Sequence, residues 1–203
     1  PICAHCEDET TFANNRQRLG EVSKVHQHSI LRDEKAALIA TMRAADLALR
    51  HKHRFHVLHV STAAELPVIA AHKPWLTGEA CPHHLFFSID DYDRLGTRIQ
   101  MNPSIKSAAN LSPLWEALRD DVLQVVATDH AQHTLEEKAQ PYPKSPSGLP
   151  AVENYLALML HSASSHGIDW IRLAQVLSDA PARIWGIVGK GRIEVGYDAD
   201  LVL

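Results

Sequence analysis

The sequence predicts an α/β chain, the C-terminal half of a (β/α)8 TIM-type barrel. Three observations predict it. Short apolar runs alternate with helix-like segments through all 203 residues, the pattern of β/α units around a parallel sheet. Four of the runs end on a polar cluster carrying histidine or aspartate. A complete barrel of this type takes ~250 residues, and the strand ends found here account for its second half only.

Each element has its own reason. Residues 1–4 are an apolar run that stops at His5. Residues 33–50 place Ala, Leu, Ile and Met at helical spacing, with Asp33 positioned to cap the first turn. Residues 55–60 (Phe-His-Val-Leu-His-Val) read as a buried strand, and Ser61 and Thr62 then open a helix to about residue 71. Residues 76–81 form a third strand, followed by Pro82-His83-His84. Residues 111–120 read as a short helix and 123–128 as a strand ending at Asp129-His130. A polar loop rich in Pro, Lys and Glu spans 131–148. Helices are expected at 150–165, 169–178 and 180–186. The stretch 189–196 is turn-rich, and 199–203 begins a strand.

Composition excludes some classes. Lys plus Arg is 20 against 24 Asp plus Glu, a net charge of −4, which lacks the basic excess of a nucleic-acid binder. No apolar run approaches the ~18 residues of a membrane span, and no signal peptide is visible. The three cysteines, Cys3, Cys6 and Cys81, read as reduced thiols in a cytoplasmic protein. Cys3 and Cys6 have CxxC spacing but straddle a strand end, where alternate side chains face opposite ways. Both ends of the chain read as cut within secondary structure, so a piece of a longer protein is expected.

The polar strand ends carry the functional expectation. In a β/α barrel, the loops after the strands converge on one face, where chemistry is done. Imidazole and carboxylate are the usual ligands of zinc and its neighbours. His5, His59 and Asp129 directly end strands and are the metal-ligand candidates. A lone strand-end histidine is more often a hydrogen-bonded structural residue; three such groups in this order favour a metal site. Asp129 is also placed to move a proton between water and a leaving nitrogen, against the plainer reading of a helix cap. His133 is a candidate contact for a substrate carboxylate, or else a solvated loop residue. Asn102 is a candidate contact for an amide-like substrate, or else part of an Asn-Pro turn. One of His83 and His84 is expected to face the pocket and the other to pack or cap, with neither a metal ligand. The histidines at 26, 28, 51, 53, 56, 72, 161 and 166 are read as background.

These segments together resemble the amidohydrolase superfamily and, within it, dihydroorotases. His5-Cys-Glu-Asp resembles the family's His-x-Glu-Asp strand end, and Leu58-His-Val-Ser-Thr62 its Leu-His-x-Ser-Thr. Glu79-Ala-Cys-Pro-His-His-Leu85 is similar to Glu-x-x-Pro-His-His-Leu, and Met101-Asn-Pro-Ser-Ile-Lys106 to the Asn-Pro-Pro-Leu-Arg segment. Ala127-Thr-Asp-His-Ala-Gln-His133 resembles Ala-Thr-Asp-His-Ala-Pro-His. Ser147-Gly-Leu-Pro150 with Glu153 is similar to Ser-Gly-x-x-x-x-Glu. The stretch from Gly191 to Leu203 resembles the superfamily's return to its small β-domain, which implies residues 1–188 as the C-terminal portion of the barrel and 189–203 as the start of the return strand of a small β-sandwich domain.

The resemblance implies metal-dependent, reversible cyclisation of N-carbamoyl-L-aspartate to L-dihydroorotate in pyrimidine biosynthesis, with two zinc ions in the complete protein. It implies that His5 and His59 hold one zinc and that Asp129 binds the other and shuttles the proton. His133 would hold the substrate carboxylate and Asn102 the ring amide. A cytoplasmic homodimer is implied, with aspartate carbamoyltransferase as a candidate partner. Gln132 and Lys106 depart from the usual Pro and Arg. Lys for Arg keeps the charge and loses the fork geometry; a branch of the family has Asn-Pro-x-Ile-Lys. The family's first-strand His-x-His-x-Arg and its bridging carboxylate or carbamylated lysine are not in this sequence. The alternatives are another cyclic amidase, such as allantoinase or dihydropyrimidinase, and a non-catalytic scaffold subunit. The 203-residue piece alone is expected to be inactive and poorly folded.

Overall fold

The computed structural model describes residues 1–202. Its frame is one parallel sheet with four strands in chain order: β1 (Ile2–Ala4), β2 (Phe55–Val57), β3 (Leu76–Ala80) and β4 (Val125–Val126). Ile2 pairs with Phe55, Phe55 with Leu76, and Glu79 with Val125. Parallel neighbours need a crossover between them, and each crossover here is helical. Between β1 and β2 lie α1 (Glu9–Leu19), α2 (His26–Leu31) and α3 (Glu34–His51); between β2 and β3 lies α4 (Leu66–Ala71). Between β3 and β4 lie α5 (Pro82–Phe86), α6 (Tyr92–Leu95) and α7 (Leu111–Arg119). After β4 come α8 (Leu135–Lys138), α9 (Tyr155–Ser162), α10 (Trp170–Ala174) and α11 (Ala180–Trp185). Consecutive parallel strands with helical crossovers form the arc of a β/α barrel.

Helix α3 is the longest, and its start is as the sequence predicts. The Asp33 side chain accepts from the Ala36 backbone N–H, and Lys52 closes the helix in the left-handed conformation. Its buried face is Ala36, Ala37, Thr41, Ala44, Ala45 and Ala48. These small side chains let the helix lie close to the sheet. The main core fills the space between sheet and helices with Val57, Ile69, Leu76, Leu114, Leu118 and Leu123, all fully buried. Gly78 shows how tight this is: a Cβ there would sit 3.0 Å from Leu123 Cδ2 and 3.1 Å from Ile69 Cδ1.

Several elements differ from expectation, each for a local reason. The strand expected over 55–60 pairs only to Val57, because His59 sits at φ 37, outside extended space. The strand over 123–128 pairs only at Val125–Val126, and Asp129 likewise has φ 43. The helix expected from 61 begins as a 3-10 turn, Ala63–Glu65, capped by Thr62. The loop 131–148 contains α8, started by a reciprocal cap between Thr134 and Glu137. The helix expected from 150 begins at Tyr155. The two helices expected after 169 are joined by a π-helical turn, Gln175–Asp179. Helices α1 and α2 lie in a stretch where no element was expected; Asp8 caps α1 through the Thr11 N–H. Residues 199–202 form no strand, since none of the described residues supplies them a ladder partner, and Leu203 lies outside the described residues.

Candidate active site

Parallel pairing puts the C-terminal ends of all four strands on one edge of the sheet. His5 follows β1, His59 follows β2, Glu79 is the penultimate residue of β3, and Asp129 follows β4. The imidazoles of His5 and His59 meet there, Nδ1 to Nε2 at 3.1 Å, with ring centres 4.8 Å apart.

His5 is fixed from its other side. Its Nε2 is 2.8 Å from the Glu7 carboxylate, which also pairs with Arg32. Burial alone would raise the Glu7 carboxyl; the hydrogen bond from His5 and the Arg32 charge outweigh it and take it down to about 2. Lys106 does not enter this group. It is buried, and its ammonium donates to the Arg32 carbonyl oxygen at 2.5 Å and to Ser104 Oγ at 2.9 Å. It therefore shapes the Arg32 turn.

His59 is held by its backbone. Its N–H donates to Glu79 Oε1 at 3.3 Å, and the Val60 N–H donates to the Glu79 carbonyl at 2.8 Å. Glu79 Oε2 accepts from His56 Nε2 at 3.0 Å, and His56 Nδ1 lies 2.7 Å from Thr77 Oγ1. One turn further on, the buried Glu65 carboxylate accepts from the Ser61 and Thr62 N–H groups and from the Thr41 hydroxyl. The left-handed turn that projects His59 is thus pinned by two buried carboxylates.

Asp129 is half-buried, and its charge is felt at His59. Burial raises its carboxyl above the usual range; His59 opposes this and Glu79 adds to it. Burial lowers His59, with Asp129 pulling the other way. Among the described residues, no three His, Cys, Asp or Glu side chains are close enough to enclose a metal ion. The donor set still fits one. Two imidazoles and a carboxylate are hard and borderline ligands of the zinc type. His59 Nδ1 is buried without a partner, and an orphaned ring nitrogen of this kind calls for a group from outside the described chain.

The remaining expected residues stand on the connections that follow β3 and β4, the rim of the same sheet edge. Asn102 is gripped by His28, whose Nε2–H donates to the Met101 carbonyl at 2.9 Å and to Asn102 Oδ1 at 3.0 Å. Both partners are acceptors, so the proton is on Nε2 and Nδ1 is left for the Tyr142 hydroxyl at 3.4 Å. Burial takes His28 down to about 4. His133 donates through Nε2 to the Ser147 carbonyl at 3.2 Å, and its Nδ1 is 3.5 Å from Glu137. Neither Asn102 nor His133 touches the His5–His59 pair directly. His83 and His84 are both buried; His84 Nε2 donates to the Pro103 carbonyl at 3.0 Å, while both ring nitrogens of His83 lack a partner. Cys6 and Cys81 are buried free thiols and Cys3 an exposed one.

His28 and His56, read as background from the sequence, belong to this framework. For His56 there was a signal: a histidine inside an apolar strand must be partnered when buried. His28 lies in a six-residue helix with no readable pattern, and its partners are more than 70 residues away.

Residues 1–203 match the Amidohydrolase family. The chain belongs to that family. Among curated proteins, this amidohydrolase is 38% identical over 202 residues to the dihydroorotase of Halobacterium salinarum, covering 100% of this chain and 47% of that protein. It is 34% identical over 209 residues to the dihydroorotase of Methanosphaera stadtmanae, covering 100% of this chain and 48% of the relative. The chain thus spans about half the length of the curated relatives it matches. Among solved structures, the L-hydantoinase (dihydropyrimidinase) of Arthrobacter aurescens superposes with a TM-score of 0.91 at 26% identity, covering 98% of this chain and 46% of that one. The D-hydantoinase of Bacillus sp. AR9 gives 0.89 at 26% identity, covering 98% and 47%. The amidohydrolase barrel is therefore the fold of which these four strands are part.

Proposed function

We propose that the protein is a dihydroorotase, catalysing the metal-dependent, reversible cyclisation of N-carbamoyl-L-aspartate to L-dihydroorotate. The observation that carries the reading is the meeting of His5 and His59 at 3.1 Å, from adjacent strand ends, with Asp129 following another strand at the same edge of the sheet. The names of the curated relatives support the same substrate.

His5, His59 and Asp129 would hold zinc, one or two ions in the complete protein. When bound, the metal would polarise the amide carbonyl and supply a nucleophile at neutral pH. The chain's own residues do the rest. In the hydrolytic direction, Asp129 takes a proton from the attacking water and delivers it to the ring nitrogen as the C–N bond breaks. In cyclisation the same proton travels back. His133 would turn its Nε2–H from the Ser147 carbonyl to the substrate carboxylate. Asn102, with Oδ1 occupied by His28, offers its NH2 group to a ring carbonyl. A cytoplasmic homodimer is the setting this reading implies.

A second reading is a hydantoinase or dihydropyrimidinase, favoured by the solved structures that superpose on the chain. His133 separates the two, because cyclic ureides without a carboxylate give it nothing to bind. Turnover assays of the complete protein with L-dihydroorotate, dihydrouracil, hydantoin and allantoin decide: the proposal expects dihydroorotate to be preferred.

A further inference from the structure

Lys138 ends a one-turn helix in a polar loop, flanked by the exposed residues Glu136, Glu137, Ala139 and Gln140, yet it is only 5% exposed. Its ammonium donates to three backbone carbonyls: Gln100 at 3.0 Å, Pro146 at 2.9 Å and Gly148 at 2.9 Å. The three N–H bonds of an ammonium are thereby all used. Among the described residues no carboxylate pairs with it. Burying an unpaired ammonium costs several kcal/mol, and a lysine stem is long enough to swing into water. The position is held by the three acceptors.

Those acceptors join two segments. Gln100 lies two residues before Asn102. Pro146 and Gly148 flank Ser147, whose carbonyl accepts from His133. The Gln100 side chain adds a second set of ties. Its Nε2 donates to the Ser145 carbonyl at 2.9 Å and to Ser147 Oγ at 3.2 Å, and its Oε1 accepts from the Ser145 hydroxyl at 2.5 Å. The Gly148 N–H closes onto the Gln100 carbonyl at 2.9 Å. One hub therefore carries the backbone on which both rim residues stand.

We propose that Lys138 is a positioning residue that sets the separation of Asn102 and His133, and so selects a substrate by the distance between its ring amide and its carboxylate. This rests on the dihydroorotase reading of the rim. Lys138 touches no reacting atom; it acts through the two groups that do the binding.

The test is a double-mutant cycle in the complete protein with Lys138→Met, His133→Ala and the pair, followed by KM and kcat for L-dihydroorotate. Lys138→Met is expected to raise KM about tenfold, the worth of one misaligned polar contact. The double variant is expected to fall short of the product of the two single effects, because with His133 removed Lys138 acts through Asn102 alone. An unchanged KM, or KM effects that simply multiply, would overturn the proposal. Hydrogen exchange gives a readout that needs no substrate. In Lys138→Met, amides of 97–103 and 145–149 should open together while those of the strands stay protected; unchanged exchange in both segments also counts against it. Should Lys138→Met not accumulate folded, Ser145→Ala removes one tie of the same hub. It should raise KM and loosen both segments to a smaller degree, and no change in either would overturn the proposal. The wild-type protein's choice between dihydroorotate and dihydrouracil tests the underlying reading separately, and the exchange result stands or falls without it.

Discussion

His5 Nδ1 and His59 Nε2 lie 3.1 Å apart although 54 residues separate them in the chain. Register explains the meeting. Ala4 pairs with Val57, so the residues just past each strand end emerge side by side. Glu7 then holds one ring from outside, and Glu79 holds the backbone of the other. Two imidazole nitrogens facing each other at this distance suit the ligand role proposed for them.

Asp129 is the group asked to move the proton. Asp129→Asn keeps the size and removes the basicity. Turnover should fall by ~10²–10⁴, the usual contribution of general acid–base catalysis, while the far-ultraviolet circular dichroism stays as in the wild type. A loss smaller than tenfold would assign the proton to another group.

His133 is asked to bind a carboxylate. His133→Ala should raise KM for L-dihydroorotate by ~10–100-fold, the worth of a hydrogen bond to a charged group, with kcat changed far less. Steady-state kinetics read this directly. A fall in kcat at constant KM would move His133 from the binding rim to the chemistry.

Gly148 lies at φ 141, where side chains are rarely tolerated, and a Cβ there would collide with the Ala131 carbonyl and sit 3.2 Å from His133 Cδ2. Gly148→Ala should therefore cost ~1–3 kcal/mol of stability and displace His133, so that KM rises with the loss. Urea denaturation and kinetics on the same sample check it; a neutral substitution would show that the loop gives way easily.

His28 makes stability depend on pH. The unfolded chain takes up a proton here near pH 6.5, whereas the folded protein resists until about pH 4. The unfolded state binds more protons across that window, so stability falls as the pH falls. His28→Gln can still donate to the Met101 and Asn102 oxygens but does not titrate. Between pH 7 and pH 5 the wild type should lose about 2 kcal/mol more than the variant, as read by denaturation at the two pH values. Equal losses would mean that His28 protonates without disturbing its cradle.

Much of this arrangement was readable in advance, and the parts that were not have a common cause. Helix α3 could be placed because Asp33 and its alanine stripe are local signals. His5, His59 and Asp129 could be picked out because each terminates an apolar run. The paired strands came out shorter than the runs because His59 and Asp129 adopt left-handed backbone, which the apolar pattern does not encode. His28, Lys138 and Glu65 were not picked out. His28 and Lys138 sit in unremarkable local sequence and gain their roles from acceptors brought in by the fold, Asn102 for His28 and Gln100 for Lys138; Glu65 closes a capping box with Thr62, a local signal, and the fold adds the Thr41 hydroxyl. Lys138 in particular reads locally as one more charge in a solvated loop.

The central claim is most directly tested by measuring L-dihydroorotate hydrolysis by the complete protein before chelation, after chelation and after zinc is restored. The account predicts turnover that chelation abolishes and zinc returns, with dihydrouracil and hydantoin poor substrates throughout. Turnover that is indifferent to chelation, or dihydrouracil consumed in preference to dihydroorotate, would contradict it.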